Sequence, residues 1–334
     1  GKNGAGKTTL LDAIRFISFG KSAINKFDID NVNHKKTFFT LEGYYSNNHI
    51  YKCIYEKPNS KKIYENNTKY DKIKKHIGKI PLVFLNPYDI NLIRNYSTER
   101  RKFFDQIFSQ IDYKYLEKLL IYRRLLKQRN TYLKSVKSIE DLDKFHIKSY
   151  DDKLIELNKF INKFRKDAIQ EFNVFFIECS KDLNVEDLNY SINYLSNINQ
   201  DMDTSIFDES LEKDFFTKKT SIGIHNDDYL FKMNNVLIKR TGSQGQQKTF
   251  IISLKLTEYG MLKNKLSKSP ILMLDDVFHK LDDKKIKILI EYLSDKKFSQ
   301  VIISDSIKER LLLIRKNLKK IKIIQIDKGE IHEG

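Results

Sequence analysis

The chain has few of the features that mark secreted, membrane-spanning or linker-rich proteins. Its two cysteines, Cys53 and Cys179, lie far apart and lack CxxC spacing, which predicts reduced thiols and argues against a disulfide framework. With four prolines and twelve glycines among 334 residues, there is little room for flexible linkers. No apolar run is long enough to span a membrane, and no signal segment is visible. These absences predict a soluble, cytoplasmic protein without a membrane partner.

Positive charge is in excess along the chain. Lys and Arg number 61 against 44 Asp and Glu, which gives a net charge of +17 at pH 7. Such an excess favours polyanionic partners, because phosphates attract Lys and Arg and release counterions on binding. The chain is also rich in Lys, Asn, Ile and Tyr, as an AT-rich coding sequence produces. We therefore assign only part of the charge to function.

Hydrophobic periodicity distinguishes the two ends of the chain from its middle. Alternating runs between residues 36 and 65 predict antiparallel strands, and Pro81–Leu85 predicts a short strand. From about Thr98 to Asp182, apolar residues recur at helical spacing, which predicts two or three long amphipathic helices.

The last third alternates apolar strands with helical segments, which predicts a largely parallel sheet. The strands are expected at Ile271–Leu274, Val301–Ile303 and Ile321–Ile326. The predicted fold class is α/β, with a mixed or parallel sheet in a head that is interrupted by a helical arm. Residues 1–105 and 205–334 would form this head, and residues 106–204 would form a helical arm domain.

The first eight residues match the phosphate-binding pattern G-x-x-x-x-G-K-[ST]. Glycines let backbone N–H groups turn toward a phosphate, and the helix predicted from Thr9 directs its N-terminus there. Lys7 can reach the β and γ phosphates of ATP, and the Thr8 hydroxyl can bind Mg²⁺. The predicted ATP-phosphate ligands are Gly1, Lys2, Asn3, Gly4, Ala5, Gly6, Lys7 and Thr8. Short glycine turns of this kind also recur by chance.

Loops of this type ordinarily follow a buried strand, whereas residue 1 is already the first glycine of the pattern. We expect either that the true start lies upstream of Gly1 or that the product is truncated. A loop held at one end only is expected to bind nucleotide weakly.

Two acids follow the apolar run Ile271–Leu274. A buried strand would deliver Asp275 and Asp276 to the carboxyl edge of an open α/β sheet, where ligands bind. Asp275 is predicted to hold the water shell of Mg²⁺, and Asp276 to polarise the attacking water in catalysis with Lys7. Because many ABC ATPases carry Glu at the second position, the shorter Asp predicts slow hydrolysis. A surface turn after a core strand would produce the same pattern.

A glycine-containing turn precedes the amphipathic run Phe250–Leu262. Its residues Ser243, Gln244, Gly245 and Gln246 resemble the ABC signature, in which Ser and Gly cap a helix and meet the γ-phosphate of a partner subunit's ATP. The resemblance implies an ATP-dependent homodimer. A simple helix cap has the same sequence.

Asp282 lies where ABC heads have their D-loop, but His279 and Lys280 replace the usual Ser-Glu before it. Ser304, Asp305 and Ser306 stand where ABC transporters place a switch histidine.

The motifs together resemble those of the RecF family. GSQGQQK and LMLDDV follow the phosphate loop in the family's order, and further segments are similar: Thr9–Ser22, Pro81–Ile93, Ser97–Asp105 and Thr220–Asp228. The last of these usually contains Pro-His-Arg, which here reads Ile224, His225 and Asn226. The resemblance spans almost the whole chain, and it implies that the α/β head is a P-loop ATPase head of the ABC type, with covering helices, interrupted by the α-helical arm domain.

The family resemblance implies a function in DNA replication, recombinational repair and the SOS response. A RecF-like protein is expected to bind ATP and Mg²⁺, to dimerise with ATP, and to bind double-stranded DNA near gaps. It is expected to act with RecO and RecR in loading RecA on single strands. The implied activity is a slow ATPase that works as a switch.

Basic residues in three segments are candidates for contacts with DNA phosphates. They are Lys35 and Lys36, Lys61 and Lys62, and Arg123, Arg124 and Lys127. Each is more often a solvated side chain than a contact.

Three other functions share some of these motifs. An ABC transporter subunit would lack the long helical insertion and would have the switch histidine. Another SMC-like head would carry far longer coiled-coil arms. A DNA-binding remnant without a working phosphate loop would show no response to ATP.

Overall fold

The computed structural model describes residues 2, 4–183, 186, 188–295, 298–307, 309–310, 314–315, 321–327 and 329–333. By its internal contacts the chain divides into two compact units. Unit 1 comprises Gly1–Asp89, Asp182–Glu186 and Gln244–Gly334, and unit 2 comprises Ile90–Lys181 and Asp187–Ser243.

Helices and strands occur in both units. In chain order the helices are α1 (Lys7–Phe19), α2 (Asn91–Arg94), α3 (Ser97–Ile111), α4 (Tyr113–Ser135), α5 (Lys144–Leu183), α6 (Ser205–Thr217), α7 (Ile238–Thr241), α8 (Gln244–Lys265) and α9 (Asp283–Asp295). The strands are β1 (Phe38–Tyr45), β2 (His49–Glu56), β3 (Ser60–Glu65), β4 (Thr68–Lys69), β5 (Leu82–Leu85), β6 (Tyr190–Leu195), β7 (Asp228–Met233), β8 (Val236–Leu237), β9 (Ile271–Asp275), β10 (Gln300–Ser304), β11 (Ile324–Asp327) and β12 (Glu330–Glu333).

A parallel sheet in the order β10-β9-β5 forms the centre of unit 1. Leu272 of β9 pairs with Val83 on one side and with Val301 on the other. All four residues of β5 are buried, and continuous apolar runs are typical of strands covered on both faces. Because the strands are parallel, the residues that end β9 and β10 lie at one edge of the sheet.

The segment at Ile321–Ile326 differs from its prediction. The strand there begins at Ile324 and pairs antiparallel with β12, so it forms a hairpin outside the parallel sheet. Gly329, with φ of 85°, lies in the turn between the two strands, where a glycine adopts the left-handed conformation without strain. The sequence-based assignment of a third parallel strand was wrong, since apolar content alone does not distinguish the two pairings.

The antiparallel sheet β1-β2-β3-β4 confirms the strands predicted between residues 36 and 65. Burial alternates along β2, where Tyr51, Cys53 and Tyr55 point inward. Helix α1 packs against the antiparallel sheet β1-β2-β3-β4 and against the parallel sheet β10-β9-β5 of unit 1. Its Phe16 contacts Cys53 of the antiparallel sheet, and its Leu11 lies in the cluster that contains Met273 of the parallel sheet. The helix is thereby packed between the two sheets through Leu11 and Phe16.

Three long helices, α3, α4 and α5, dominate unit 2, as predicted from the helical spacing of apolar residues. The antiparallel sheet β6-β7-β8 belongs to the same unit. Phe104 of α3 packs on Tyr229 of β7, with 4.0 Å between ring centroids. The chain passes between the two units at 89/90, 181/182, 186/187 and 243/244. The head and arm boundaries at 105/106 and 204/205 stay a prediction.

Buried charges link the helices of unit 2. Arg129 of α4 has no exposed side-chain surface and donates to Asp151 of α5 at 2.6 Å and to Asp214 of α6 at 2.7 Å. Arg165 of α5 donates to Asp105 at 2.8 Å and to Asp227 at 2.7 Å. Paired guanidinium groups offset the cost of burying these carboxylates. None of the described helices combines the length and apolar character needed to cross a membrane.

Candidate nucleotide-binding site

The phosphate loop has the backbone that its glycines predict. Gly4 and Gly6 have φ of 78° and 102°, values that residues with a Cβ rarely adopt, and α1 begins directly after Gly6. The N–H of Ala5 donates to the carbonyl of Lys2 at 3.3 Å. The N–H of Gly329 donates to the carbonyl of Ala5 at 3.0 Å, so the hairpin β11–β12 supports the loop. Gly1 and Asn3 of the predicted set lie outside the described residues.

The ammonium of Lys7 lies over this loop. Its Nζ donates to the carbonyl of Lys2 at 2.8 Å, in a solvent-exposed hydrogen bond. A phosphate cradled by the loop would meet this ammonium and the N-terminus of α1 from the same side.

Thr8 and Asp275 are brought together from opposite ends of the chain. The Thr8 hydroxyl donates to Oδ2 of Asp275 at 2.7 Å, across 267 residues of sequence. The Ser304 hydroxyl donates to Oδ1 of the same carboxylate. Asp275 is only 2% exposed, so these hydroxyls replace the water that its two oxygens would otherwise bind. The carboxylate is held in a single orientation.

Sequence reasoning had noted Ser304 as a substitute for a switch histidine and missed its contact with Asp275. Ser304 ends β10 and is the register partner of Asp275 at the end of β9. Knowledge of the strand order would have revealed the contact, because polar residues at the ends of neighbouring parallel strands meet at one edge.

Asp276 is half-exposed, in contrast to the buried Asp275. Its N–H donates to the carbonyl of Ser304 at 3.2 Å, and its φ is 49°. Asp and Asn tolerate this left-handed region better than other residues that carry a Cβ. The backbone is therefore compatible with an Asp at the position where many ABC ATPases carry Glu.

Lys248 of α8 lies within electrostatic reach of the acidic residues. Burial lowers the pKa of this lysine, while the carboxylates of Asp276, Asp89 and Asp275 act in the opposite direction. Asp89 follows β5 at the same edge of the sheet. Sequence reasoning had not assigned a role to Lys248 or Asp89, since only folding places them beside the acidic pair.

The signature residues are located at the N-terminus of α8. Ser243 directly precedes the helix, Gln244 is its first residue, and both are exposed. The carbonyl of Gly245 accepts a hydrogen bond from the Thr249 hydroxyl at 3.0 Å. The side-chain amide of Gln246 donates to the carboxylate of Glu186 at 2.7 Å.

Asp282 precedes α9 and accepts a hydrogen bond from the N–H of Lys285 at 2.9 Å, as a helix N-cap does. His279 and Lys280 are exposed. In unit 2, Ile224 is buried, and the amide of Asn226 donates to the carbonyl of Ser221 at 2.6 Å. The two departures from the family pattern in that segment thus have internal contacts.

The candidate DNA-contacting residues differ in their exposure and in their contacts within the protein. Lys61 donates to the Gly20 carbonyl at 2.6 Å and to Asp28 at 2.5 Å, and its side chain is 19% exposed. Arg123 pairs with Asp105 at 2.9 Å while 53% of its side chain stays exposed. The remaining candidates are half-exposed or exposed: Lys35, Lys36, Lys62, Arg124 and Lys127.

Comparisons with known proteins agree on the family. Residues 1–304 match the family model described as AAA domain, putative AbiEii toxin, Type IV TA system. The chain is 36% identical to the DNA replication and repair protein RecF of Cytophaga hutchinsonii over all of this chain and 89% of the relative. It is 36% identical to the RecF protein of Flavobacterium johnsoniae over 95% of this chain and 89% of that relative.

Solved structures give the same result. The recombination mediator protein RecF bound to ATP, in the RecFOR pathway, superposes with a TM-score of 0.87 at 26% identity, covering 99% of this chain and 89% of that structure. The Smc head domain of Pyrococcus yayanosii superposes with a TM-score of 0.55 at 13% identity, covering 100% of this chain and 91% of that structure, which shows a shared fold. The chain therefore belongs to the RecF family of DNA replication and repair proteins, within the broader AAA-domain family whose model it matches.

Proposed function

We propose that this protein is an ATP-dependent switch that binds duplex DNA near gaps during recombinational repair. The observation that carries the proposal is the 2.7 Å contact between Thr8 and Asp275, which joins the phosphate loop to the acidic strand end. This contact supports the proposal, because it brings together residues from the two ends of the chain that would form the two halves of a nucleotide site. A chance glycine turn and a chance acidic pair would not meet in this way.

The donor set at this contact fits Mg²⁺. It consists of one hydroxyl and one carboxylate, and the described residues contain no cluster of three or more His, Cys, Asp or Glu that could hold a metal alone. Mg²⁺ in proteins typically uses one or two carboxylates, substrate phosphates and water. Thr8 and Asp275 would hold the ion, and when bound it supplies positive charge beside the phosphate oxygens of ATP.

Lys7 and Asp276 would perform the remaining chemistry. The Lys7 ammonium would leave the Lys2 carbonyl and pair with the β and γ phosphates. The half-exposed carboxylate of Asp276 would orient water toward the γ-phosphate and accept its proton. The hydrolysis is proposed to be slow and to release DNA.

The signature residues Ser243–Gln246 are proposed to contact the ATP of a second copy, so that ATP joins two protomers. Exposed lysines such as Lys35 and Lys36 would then bind the phosphates of duplex DNA. The solved relative is described within the RecFOR pathway. By this relationship, we propose RecO and RecR as partners, RecA loading as the outcome, and the cytoplasm as the location.

The proposal is tested by measuring binding to a gapped duplex by fluorescence anisotropy, with and without ATP and Mg²⁺. We expect ATP to tighten binding and Lys7→Ala to abolish this gain. Lys21→Ala is the matched control, because Lys21 is an exposed lysine just beyond the other end of α1. The control should keep the response of the unmodified protein.

Equal affinity with and without ATP would contradict the switch and favour a DNA-binding remnant. Sedimentation of the same samples reports whether ATP joins two copies. If the protein responds to ATP but stays monomeric, the proposed nucleotide site stands. The proposed contact between Ser243 and the ATP of a second copy is then excluded.

A further inference from the structure

A cleft of about 450 Å³ in unit 2 is lined by residues of α4 and α5. Helix α4 contributes Arg124, Lys127, Gln128 and Thr131, and this spacing places the four side chains on one face of the helix. The volume lies in the range of pockets that bind small molecules, roughly 300–1,000 Å³. The nucleotide site of unit 1 does not include any of these residues.

The chemistry of the α4 face suits a phosphate. Arg124 and Lys127 are exposed, and within the described part of the chain neither takes part in an ion pair. No carboxylate among the described residues lines the cleft. Glu117 is the acidic residue of α4, whereas its basic residues are Lys114, Lys118, Arg123, Arg124, Lys127, Arg129 and Lys134. Arg123, Arg129 and Lys118 are already paired with carboxylates, so the positive charge that an anion would meet in the cleft comes from Arg124 and Lys127.

Three rings form the other part of the lining. The centroids of Tyr132 and His146 are 4.5 Å apart, and those of His146 and Tyr150 are 5.2 Å apart. The Tyr132 hydroxyl accepts a hydrogen bond from the N–H of Asp143 at 2.8 Å, and the Tyr150 hydroxyl contacts Nε2 of His146 at 3.3 Å. These contacts fix the rings before any ligand arrives, so little rotamer entropy is lost on binding.

We propose that this cleft binds an unpaired nucleotide of single-stranded DNA. The rings offer a stacking surface for the base, Arg124 and Lys127 offer charge to the flanking phosphates, and Gln128 and Thr131 offer hydrogen bonds to the base edge. A duplex cannot use the rings, because its bases are stacked inside the helix. The inference rests on the proposed function, since it supplies a second contact by which a gap differs from continuous duplex.

The test compares single-stranded oligo(dT) of about 12 nucleotides with a duplex of equal length, by anisotropy with the full chain and ATP. Tyr150→Leu should weaken single-strand binding about tenfold, because stacking is lost. Tyr150→Phe should retain the affinity, because it keeps the ring. Duplex affinity should be unchanged in both variants.

Two further variants test the charge. Arg124→Ala and Lys127→Ala should each reduce the salt dependence of single-strand binding by about 0.7 in log–log slope. Lys134→Ala, an exposed lysine of α4 outside the cleft lining, is the matched control and should leave the slope unchanged. Equal effects of all three changes would contradict a specific role for the cleft.

Photo-crosslinking of the unmodified protein to oligo(dT) that carries 5-iododeoxyuridine locates the base without any substitution. Attachment to Tyr132, His146 or Tyr150 supports the proposal, and attachment only elsewhere overturns it. If ATP-dependent duplex binding persists while Tyr150→Leu changes nothing, only the cleft assignment fails. If the unmodified protein binds neither DNA, the proposed function fails as well.

Discussion

At the residue scale, Asp276 combines a left-handed backbone conformation with a half-exposed carboxylate. Its φ of 49° places it in the region where Asp and Asn are favoured, and its N–H is bonded to the carbonyl of Ser304. Residues with longer side chains adopt the same region in this structure, since Lys218 and Lys280 have φ of 54° and 65°. The turn that follows β9 therefore accommodates the short carboxylate without requiring it.

We predict that Asp276→Asn retains ATP binding and slows hydrolysis by about 10²–10⁴-fold. The amide fits the same backbone angle but cannot accept a proton from the attacking water. Phosphate release in a single turnover measures the rate, and Asp283→Asn, an exposed acid in the first turn of α9, serves as control. An unchanged rate would remove Asp276 from the reaction.

His76 gives a pH dependence of stability. Burial lowers the pKa of this histidine from its ordinary value of 6.5. Its Nε2 donates a hydrogen bond to the carbonyl of Ile17 at 2.5 Å. The unfolded state therefore binds more protons than the folded state as the pH falls below 6.5, and the free energy of unfolding decreases. Burial lowers the pKa of His225 in the same direction.

The expected result is that His76→Gln reduces the loss of unfolding free energy on acidification across pH 6.5. Urea denaturation above and below this pH measures the loss. The exposed His34→Gln is the control and should preserve the full loss. The same loss in both variants would show that His76 is not the group responsible.

At the scale of elements, α4, α5 and α6 are joined through Arg129. Asp151 and Asp214 both depend on this guanidinium, and all three side chains are at most 5% exposed. Arg129→Met should lower the free energy of unfolding by about 3–5 kcal/mol, because it removes the positive charge that pairs with two buried carboxylates. Thermal and urea denaturation monitor the change.

Lys118→Ala is the control for this prediction, since Lys118 also links α4 to α5, through Glu156 at 3.3 Å. Glu156 is 73% exposed, so this pair should contribute only about 0–1 kcal/mol. A comparable decrease in the free energy of unfolding in the two variants would indicate that the buried ion pairs of Arg129 are not what joins the helices.

At the scale of the whole molecule, the net charge of +17 has two possible origins, DNA binding and biased composition. If six to ten phosphates are contacted, duplex affinity should fall about 10³–10⁵-fold between 50 and 200 mM salt, with little dependence on base sequence. Titration of two unrelated duplexes at several salt concentrations measures this slope. A shallow slope would assign the excess charge to composition.

The sequence by itself determined the parts of this protein that local chemistry encodes. The glycine pattern of residues 1–8 predicted the loop, helical spacing predicted α3 to α5, and the apolar run before Asp275 predicted β9. Each of these signals lies within a few neighbouring residues, because helix and strand periods and glycine torsions are local properties.

Tertiary structure alone decided which distant residues meet. It placed the Ser304 hydroxyl on Asp275, brought Lys248 near the acidic pair, and joined Gly329 to the phosphate loop. It also paired β11 with β12 in a hairpin. These outcomes depend on strand order and on side-chain packing across hundreds of residues, and no local period carries that information.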